Sequence, residues 1–261
     1  MTRYVPREID PEDNVNVTRG NPLGRFAILA AEIAFAVMVL YILLGLAVGV
    51  LAPHVPASVE KRMGALFTSD WESQALPEET EKAQGLMDRL VVGLEEDDRH
   101  LDYRVFVVPG DQVNAVALPG GLVLVFSGLV DKVDDDSQLA FVLGHELGHF
   151  HNRDHLRALG RGLVSLVFAL AVSGGDSAAT GFVHDRVGDV ERRFSHAREK
   201  AADRFGLHLL HDSFGEVQGA LDFMETIAAD EKRGKLAYYF STHPHPDARL
   251  EYLREEIAGL E

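Results

Sequence analysis

The chain has 261 residues, of which 46% are apolar, and a formal net charge of −16. That length allows one or two domains with a real core, and the acidity excludes a nucleic-acid partner, whose phosphates require a basic surface. The absence of cysteine excludes disulfides and thiolate metal ligands.

Residues 1–25 are polar, contain Pro, Asn and Gly, and read as a disordered cytoplasmic tail. The segment Ile33–Ala52 then carries 20 residues without a charge. At about 1.5 Å per helical residue it crosses a hydrocarbon layer of roughly 30 Å. Both this run and its lead are longer than those of a signal peptide, so 26–52 is read as one uncleaved transmembrane anchor. Arg3, Arg7, Arg19 and Arg25 precede the span, and only Lys61 and Arg62 follow it closely. The positive-inside rule then puts the N-terminus in the cytoplasm and the body in the periplasm or another extracytoplasmic space. Gly45 and Gly49 form a GxxxG pattern, either ordinary membrane-helix composition or a face for a homo-oligomer.

Residues 53–76 read as a linker and 77–261 as the functional domain. Pro77-Glu78-Glu79 opens a helix whose Leu86, Met87, Leu90, Val91 and Leu94 recur at helical spacing. Strand-like runs follow at 103–108, 113–118 and 122–128, with Pro119-Gly120-Gly121 turning between the last two. Asn114 and that turn read as structural. The last run, LVLVFSG, reads as an edge strand able to hold an extended peptide by main-chain hydrogen bonds. Asp134–Asp136 can cap the next helix. Leu163–Val172 is apolar but too short to span, and reads as a packed helix or a flap on the bilayer. Further helices are expected over Val190–His211, 215–229 and 246–258.

The capped helix carries FVLGHELGHFHNRDH at 141–155, which sets His145, Glu146 and His149 in the pattern H-E-x-x-H. Composition alone yields that pattern about 0.04 times in such a chain, so it needs support from elsewhere. Two His at i and i+4 lie one turn apart on one face and can reach one metal ion. Glu146 beside the first can take a proton from a water held there. A catalytic zinc needs a third protein ligand. Glu199 and Asp203, also i and i+4, supply it: Glu199 as ligand, Asp203 as acceptor of a ligating imidazole's other N–H. His151 and His155 repeat the spacing without an acid in the needed place, and read as surface or helix-end residues. His100, His184, His208 and His211 carry no usable pattern.

These residues resemble a family. NAVALPGG (114–121), VFSGL (125–129), LGHELGHFHNRDH (143–155), Glu199-x-x-x-Asp203 with its preceding FS, and STHPHPDARL (241–250) are similar to the membrane-bound gluzincin peptidases. That family includes the CAAX prenyl protease and the Oma-type and HtpX-type quality-control peptidases, and the resemblance covers about 104–252. It implies an α+β, mainly helical, zincin-like metallopeptidase domain with a small β-sheet behind one transmembrane helix. It implies one zinc ion per chain on His145, His149 and Glu199, with Glu146 as base and Asp203 orienting a ligand or donating a proton. The prenyl protease and HtpX-like members have several spans and this chain has one, which sets prenylated substrates aside and favours the Oma-like branch. His243, in the T-H-P element, is a donor to the oxyanion, a fourth ligand that holds the enzyme latent, as in some relatives, or a plain surface residue of a Pro-rich loop; His245 is the weaker candidate.

The expected activity is zinc-dependent endoproteolysis of an extended protein substrate at a lipid bilayer, in quality control or processing of membrane or envelope proteins. The rival is a catalytically silent or latent anchored adaptor with a structural zinc site. The intact Glu146 argues against that rival, because a structural site has no use for it.

Overall fold

The computed structural model describes residues 21–173, 196–232, 243 and 246–260. Most of the expected tail, His184, the start of the Val190–His211 helix with its FS pair, and His245 lie outside them. Met1–Leu44 and Gly45–Glu261 form two units.

Helix α1 (Pro22–Leu51) is apolar on every side, with Phe26, Ile28, Phe35, Leu43 and Leu46 all exposed. An all-round apolar helix needs an apolar surrounding, and by length and composition α1 is a candidate membrane span.

The second unit is mainly helical. A short 3-10 turn (Ala52–His54) precedes α2 (Ala57–Glu72) and α3 (Pro77–Gly93). Strands β1 (Arg104–Val108), β2 (Ala115–Leu118) and β3 (Leu122–Phe126) form one sheet. Then come α4 (Ser127–Val130), α5 (Asp136–His151), α6 (Asp154–Ser173), α7 (His196–Phe214), α8 (Gln218–Lys232) and α9 (Pro246–Ala258). The expected α+β class with a small sheet is what the chain adopts.

Two expectations change. Residues 53–76, read as a linker, contain α2. Ala57 and Trp71 pack on the core at its two ends, but the buried positions between them are a carboxylate, Glu60, and a glycine, Gly64, which interrupt the apolar stripe by which a helix is recognised. A Cβ on Gly64 would lie 2.5 Å from Pro119 O; the helix docks backbone-to-backbone on the β2–β3 turn, where Gly120 (φ 88°) and Gly121 (φ 84°) take left-handed conformations.

The second change concerns the sheet. Its order is β1-β3-β2, with β1 parallel and β2 antiparallel to β3. LVLVFSG is therefore the central strand and not an edge. Its four successive buried residues, Leu122–Val125, fit a strand covered on both faces. The outer side of β1 is closed by α3 and the residue before it. Val105 N–H donates to Gln84 Oε1 (2.8 Å), Val107 N–H to Thr80 Oγ1 (3.0 Å), and Leu76 N–H to Val107 O (2.7 Å). The open edge is β2. Phe126 N–H donates to Asn114 O at 3.1 Å, so antiparallel alternation turns the main-chain groups of Ala115 and Ala117 outward. Among the described residues nothing bonds to them.

The core joins the sheet, through Val123 and Val125, to Met87 and Leu90 of α3, Phe141 and Leu147 of α5, and Phe223 of α8. In α6 the apolar run is only half packed. Ser165 and Ala169 are buried, whereas Leu163, Leu166 and Val167 face outward.

Candidate metal centre

Helix α5 begins at Asp135, whose carboxylate accepts from Ser137 N (2.9 Å) and Gln138 N (3.0 Å), satisfying two of the helix's first amides. From Gln138 to Phe150 every residue is buried. Helix α7 crosses it at unusually short range. A Cβ on Gly148 would lie 2.8 Å from Ala202 Cα, and one on Gly206 2.7 Å from His145 N. Only small residues permit this approach, and it brings Glu199 and Asp203 against the two His of the H-E-x-x-H motif.

The donor atoms converge. His145 Nε2 and His149 Nε2 are 3.1 Å apart, and Glu199 reaches them at 3.5 Å (Oε2) and 3.7 Å (Oε1). His243 Nδ1 lies 3.3 Å from His145 Nε2 and 3.0 Å from Glu199 Oε2, and its Nε2 is 3.8 Å from Glu146 Oε1. Ligands about 2.0–2.2 Å from a tetrahedral ion are separated by about 3.3–3.6 Å. Ligand atoms of His145, Glu146, His149 and His243 lie within 4.8 Å of one another, close enough to hold one metal ion, and Glu199 stands at similar range from His145, His149 and His243. All five side chains are buried. Ala115 of the open strand, His145, Glu146 and His243 border the same small recess.

Each paired imidazole is aimed by an acid. Asp203 Oδ1 lies 3.0 Å from His145 Nδ1, and Asp154 Oδ2 lies 3.1 Å from His149 Nδ1. With Nδ1–H donated, each ring turns its Nε2 lone pair to the common point. Arg249 of α9 holds Asp203 and Glu199 in turn. Its Nε and Nη2 donate to Asp203 Oδ2 and Oδ1 at 2.7 and 2.6 Å, and its Nη1 lies 3.1 Å from Glu199 Oε2. Burial alone would raise the Asp203 carboxyl, but the Arg249 guanidinium holds it down at about 2. Burial acts likewise on Glu199 and is outweighed by His243 and Arg249, which hold it well below the carboxylate range. The two imidazoles are driven apart. Burial pushes His145 down, while at His149 the carboxylates of Asp154, Glu199 and Glu146 overcome burial and push it up to about 9.

All six site residues read from the sequence thus meet at one place. Asp154 and Arg249 were not read. Asp154 follows His149 by five positions across a break between helices, so no helical spacing announces it. Arg249 is 46 positions from Asp203, within a segment already noted for its histidines.

A family model described as Peptidase family M48 matches residues 77–257. The chain belongs to peptidase family M48. It is 29% identical over 164 residues to Metalloprotease YcaL of Escherichia coli (strain K12), a match covering 61% of this chain and 63% of that protein. It is 31% identical over 172 residues to the Metalloendopeptidase OMA1, mitochondrial, of Bos taurus, covering 59% of this chain and 32% of that one. It is 31% identical over 163 residues to the Beta-barrel assembly-enhancing protease of Escherichia coli (strain K12), covering 57% and 33%. The matches thus span under two thirds of YcaL and about a third of the other two. These relatives bear the names of a metalloprotease, a mitochondrial metalloendopeptidase and a protease tied to β-barrel assembly.

Proposed function

We propose that this M48 protein is a membrane-anchored zinc endopeptidase acting on membrane or envelope proteins, in their quality control or processing. The observation that carries the reading is the convergence of His145 Nε2, His149 Nε2 and a Glu199 oxygen on one point with Glu146 alongside. Two imidazoles and a carboxylate without thiolate suit zinc among the common metals. Zinc held there supplies Lewis-acid polarisation of the scissile carbonyl and lowers the pKa of water to about 7.

The chain's own groups do the rest. Glu146 takes the proton of the attacking water on its carboxylate and returns it to the leaving amine. Asp203 and Asp154 keep both ligating rings in the Nδ1–H tautomer, and Arg249 keeps Asp203 ionised. The outward amide and carbonyl groups of Ala115 and Ala117 pair with an extended substrate, which the recess beside Ala115 guides to Glu146. The substrate-holding edge is thus β2, in place of the strand first read as the edge. The N-terminus lies in the cytoplasm and the peptidase domain outside it. The names of the relatives support membrane or envelope proteins as substrates.

His243 favours a second reading alongside. Its Nδ1 stands in the ligand set, nearer to His145 and Glu199 than its Nε2 stands to Glu146. Four protein ligands make a closed site, so His243 acts as a plug that keeps the enzyme latent. The silent adaptor would share this geometry. Zinc analysis beside casein digestion, for the wild type, Glu146→Gln and His243→Ala, separates them. A peptidase shows chelator-sensitive cleavage that Glu146→Gln lowers by about 10²–10⁴-fold with zinc retained. No cleavage by the wild type or by His243→Ala would leave the adaptor.

A further inference from the structure

Glu60 of α2 is fully buried, and nothing in the proposed reaction uses it. Its carboxylate gathers three donors. It pairs with Arg153 Nη1, accepts from His155 Nε2 through Oε1 at 2.7 Å, and lies within reach of Gly120 N at 3.4 Å. Burial would raise this carboxyl, but His155 and Arg153 together hold it below its ordinary range. His155, read from the sequence as a surface or helix-end residue, lies at the start of α6 but is buried, its ring centroid 4.5 Å from that of Phe150 and tilted by 50° to it.

The two side-chain donors flank the start of α6: Arg153 closes the turn after α5 and His155 lies in the first turn of α6. Among the described residues Arg153 is the sole non-glycine with positive φ (56°). A side chain in that region is strained, so the turn needs external restraint. The residue between Arg153 and His155 is Asp154, the acid that accepts from His149 Nδ1. Glu60 thus grips the turn on both sides of the residue that aims a proposed ligand. A carboxylate is the one side chain that accepts from an arginine, an imidazole and an amide at once.

We propose that Glu60 is a positioning residue for the metal centre: it clamps Arg153 and His155 and so holds Asp154 on the His149 imidazole. The helix that follows the apolar span thereby reaches the site through one buried acid. The inference rests on the metal reading of His149.

The test uses the full chain in detergent and measures zinc affinity by chelator competition, the absorption spectrum of the cobalt-substituted protein, and thermal unfolding. Asp154→Asn and Glu60→Gln should each weaken zinc by about 10–100-fold. In the double variant the second change should add less than twofold, because both act through one contact. His155→Ala should weaken zinc, and His155→Gln, whose amide N–H can donate in place of Nε2, should restore most of the affinity. Val107→Ala, which removes volume from the strand farthest from β2, should lower the unfolding temperature and leave zinc affinity and the cobalt spectrum unchanged. Wild-type affinity in Glu60→Gln, or losses that multiply in the double variant, would overturn the proposal. Should Glu60→Gln fail to fold, the His155 pair decides: equal affinities in His155→Ala and wild type overturn it. A wild-type chain that takes up no zinc would overturn the metal reading itself, a result distinct from any of these.

Discussion

The crossing of α5 and α7 can be tested by one methyl group. In Gly206→Ala the added Cβ would sit 2.7 Å from His145 N and 3.0 Å from Gly144 C, where ordinary contact begins at 3.4 Å. Both neighbours are backbone atoms inside a buried helix, so neither can rotate away. The helices must part by roughly half an ångström. Overpacking of this kind costs about 1–3 kcal/mol, and in a domain of this size each kcal/mol moves the unfolding temperature by about 2–4 °C. The expected fall is therefore about 2–12 °C. The separation also carries Glu199 away from His145 and His149, whereas ligand distances tolerate only about 0.2 Å, so zinc affinity should fall with it. Gly85→Ala provides the opposite sign. Gly85 is exposed within α3 and its Cβ would meet nothing within 4 Å, so the change should stabilise by about 0.4–1 kcal/mol. Thermal unfolding by circular dichroism and chelator competition read both quantities. Gly206→Ala that melts at or above the wild-type temperature with unchanged zinc affinity would refute the argument that backbone contact builds the site.

Removing the His243 imidazole should raise basal proteolysis if it plugs the ligand set; a lower rate would restore the oxyanion-donor reading, and casein turnover by His243→Ala decides. Glu199→Ala should empty the site, read as zinc per chain after dialysis, and full retention would mean that the third ligand lies elsewhere. Asp203→Ala should differ in kind: it removes both hydrogen bonds from Asp203 to the buried Arg249 guanidinium and leaves it only Glu199, and breaking a buried pair costs about 3–5 kcal/mol, measurable as a lower urea midpoint. Asp135→Ala removes the cap of α5 and should cost about 0.5–2 kcal/mol in the same assay; an unchanged midpoint would show that the cap contributes nothing.

The sequence by itself paired the residues of the candidate site. H-E-x-x-H and E-x-x-x-D are spacings within single helices, and helical geometry alone sets His145 with His149, and Glu199 with Asp203, on common faces. The apolar span was equally legible, because a run of uncharged residues long enough to cross a bilayer is a local property. What lay between elements was not. Strand order belongs to pairing across the sheet, so the buried run Leu122–Val125 read as an edge when it is the centre, and the open edge fell to β2. Helix α2 was hidden because a carboxylate and a glycine interrupt its inward apolar face. Asp154, Arg249 and the Glu60–His155 pair have no fixed spacing from the residues they serve; the break after α5 and the packing of α2 and α9 bring them there. Local periodicity encodes which groups share a face. Only the packed chain decides which buried acid aims each imidazole, because that choice is made by contacts between segments whose separation in sequence carries no signal.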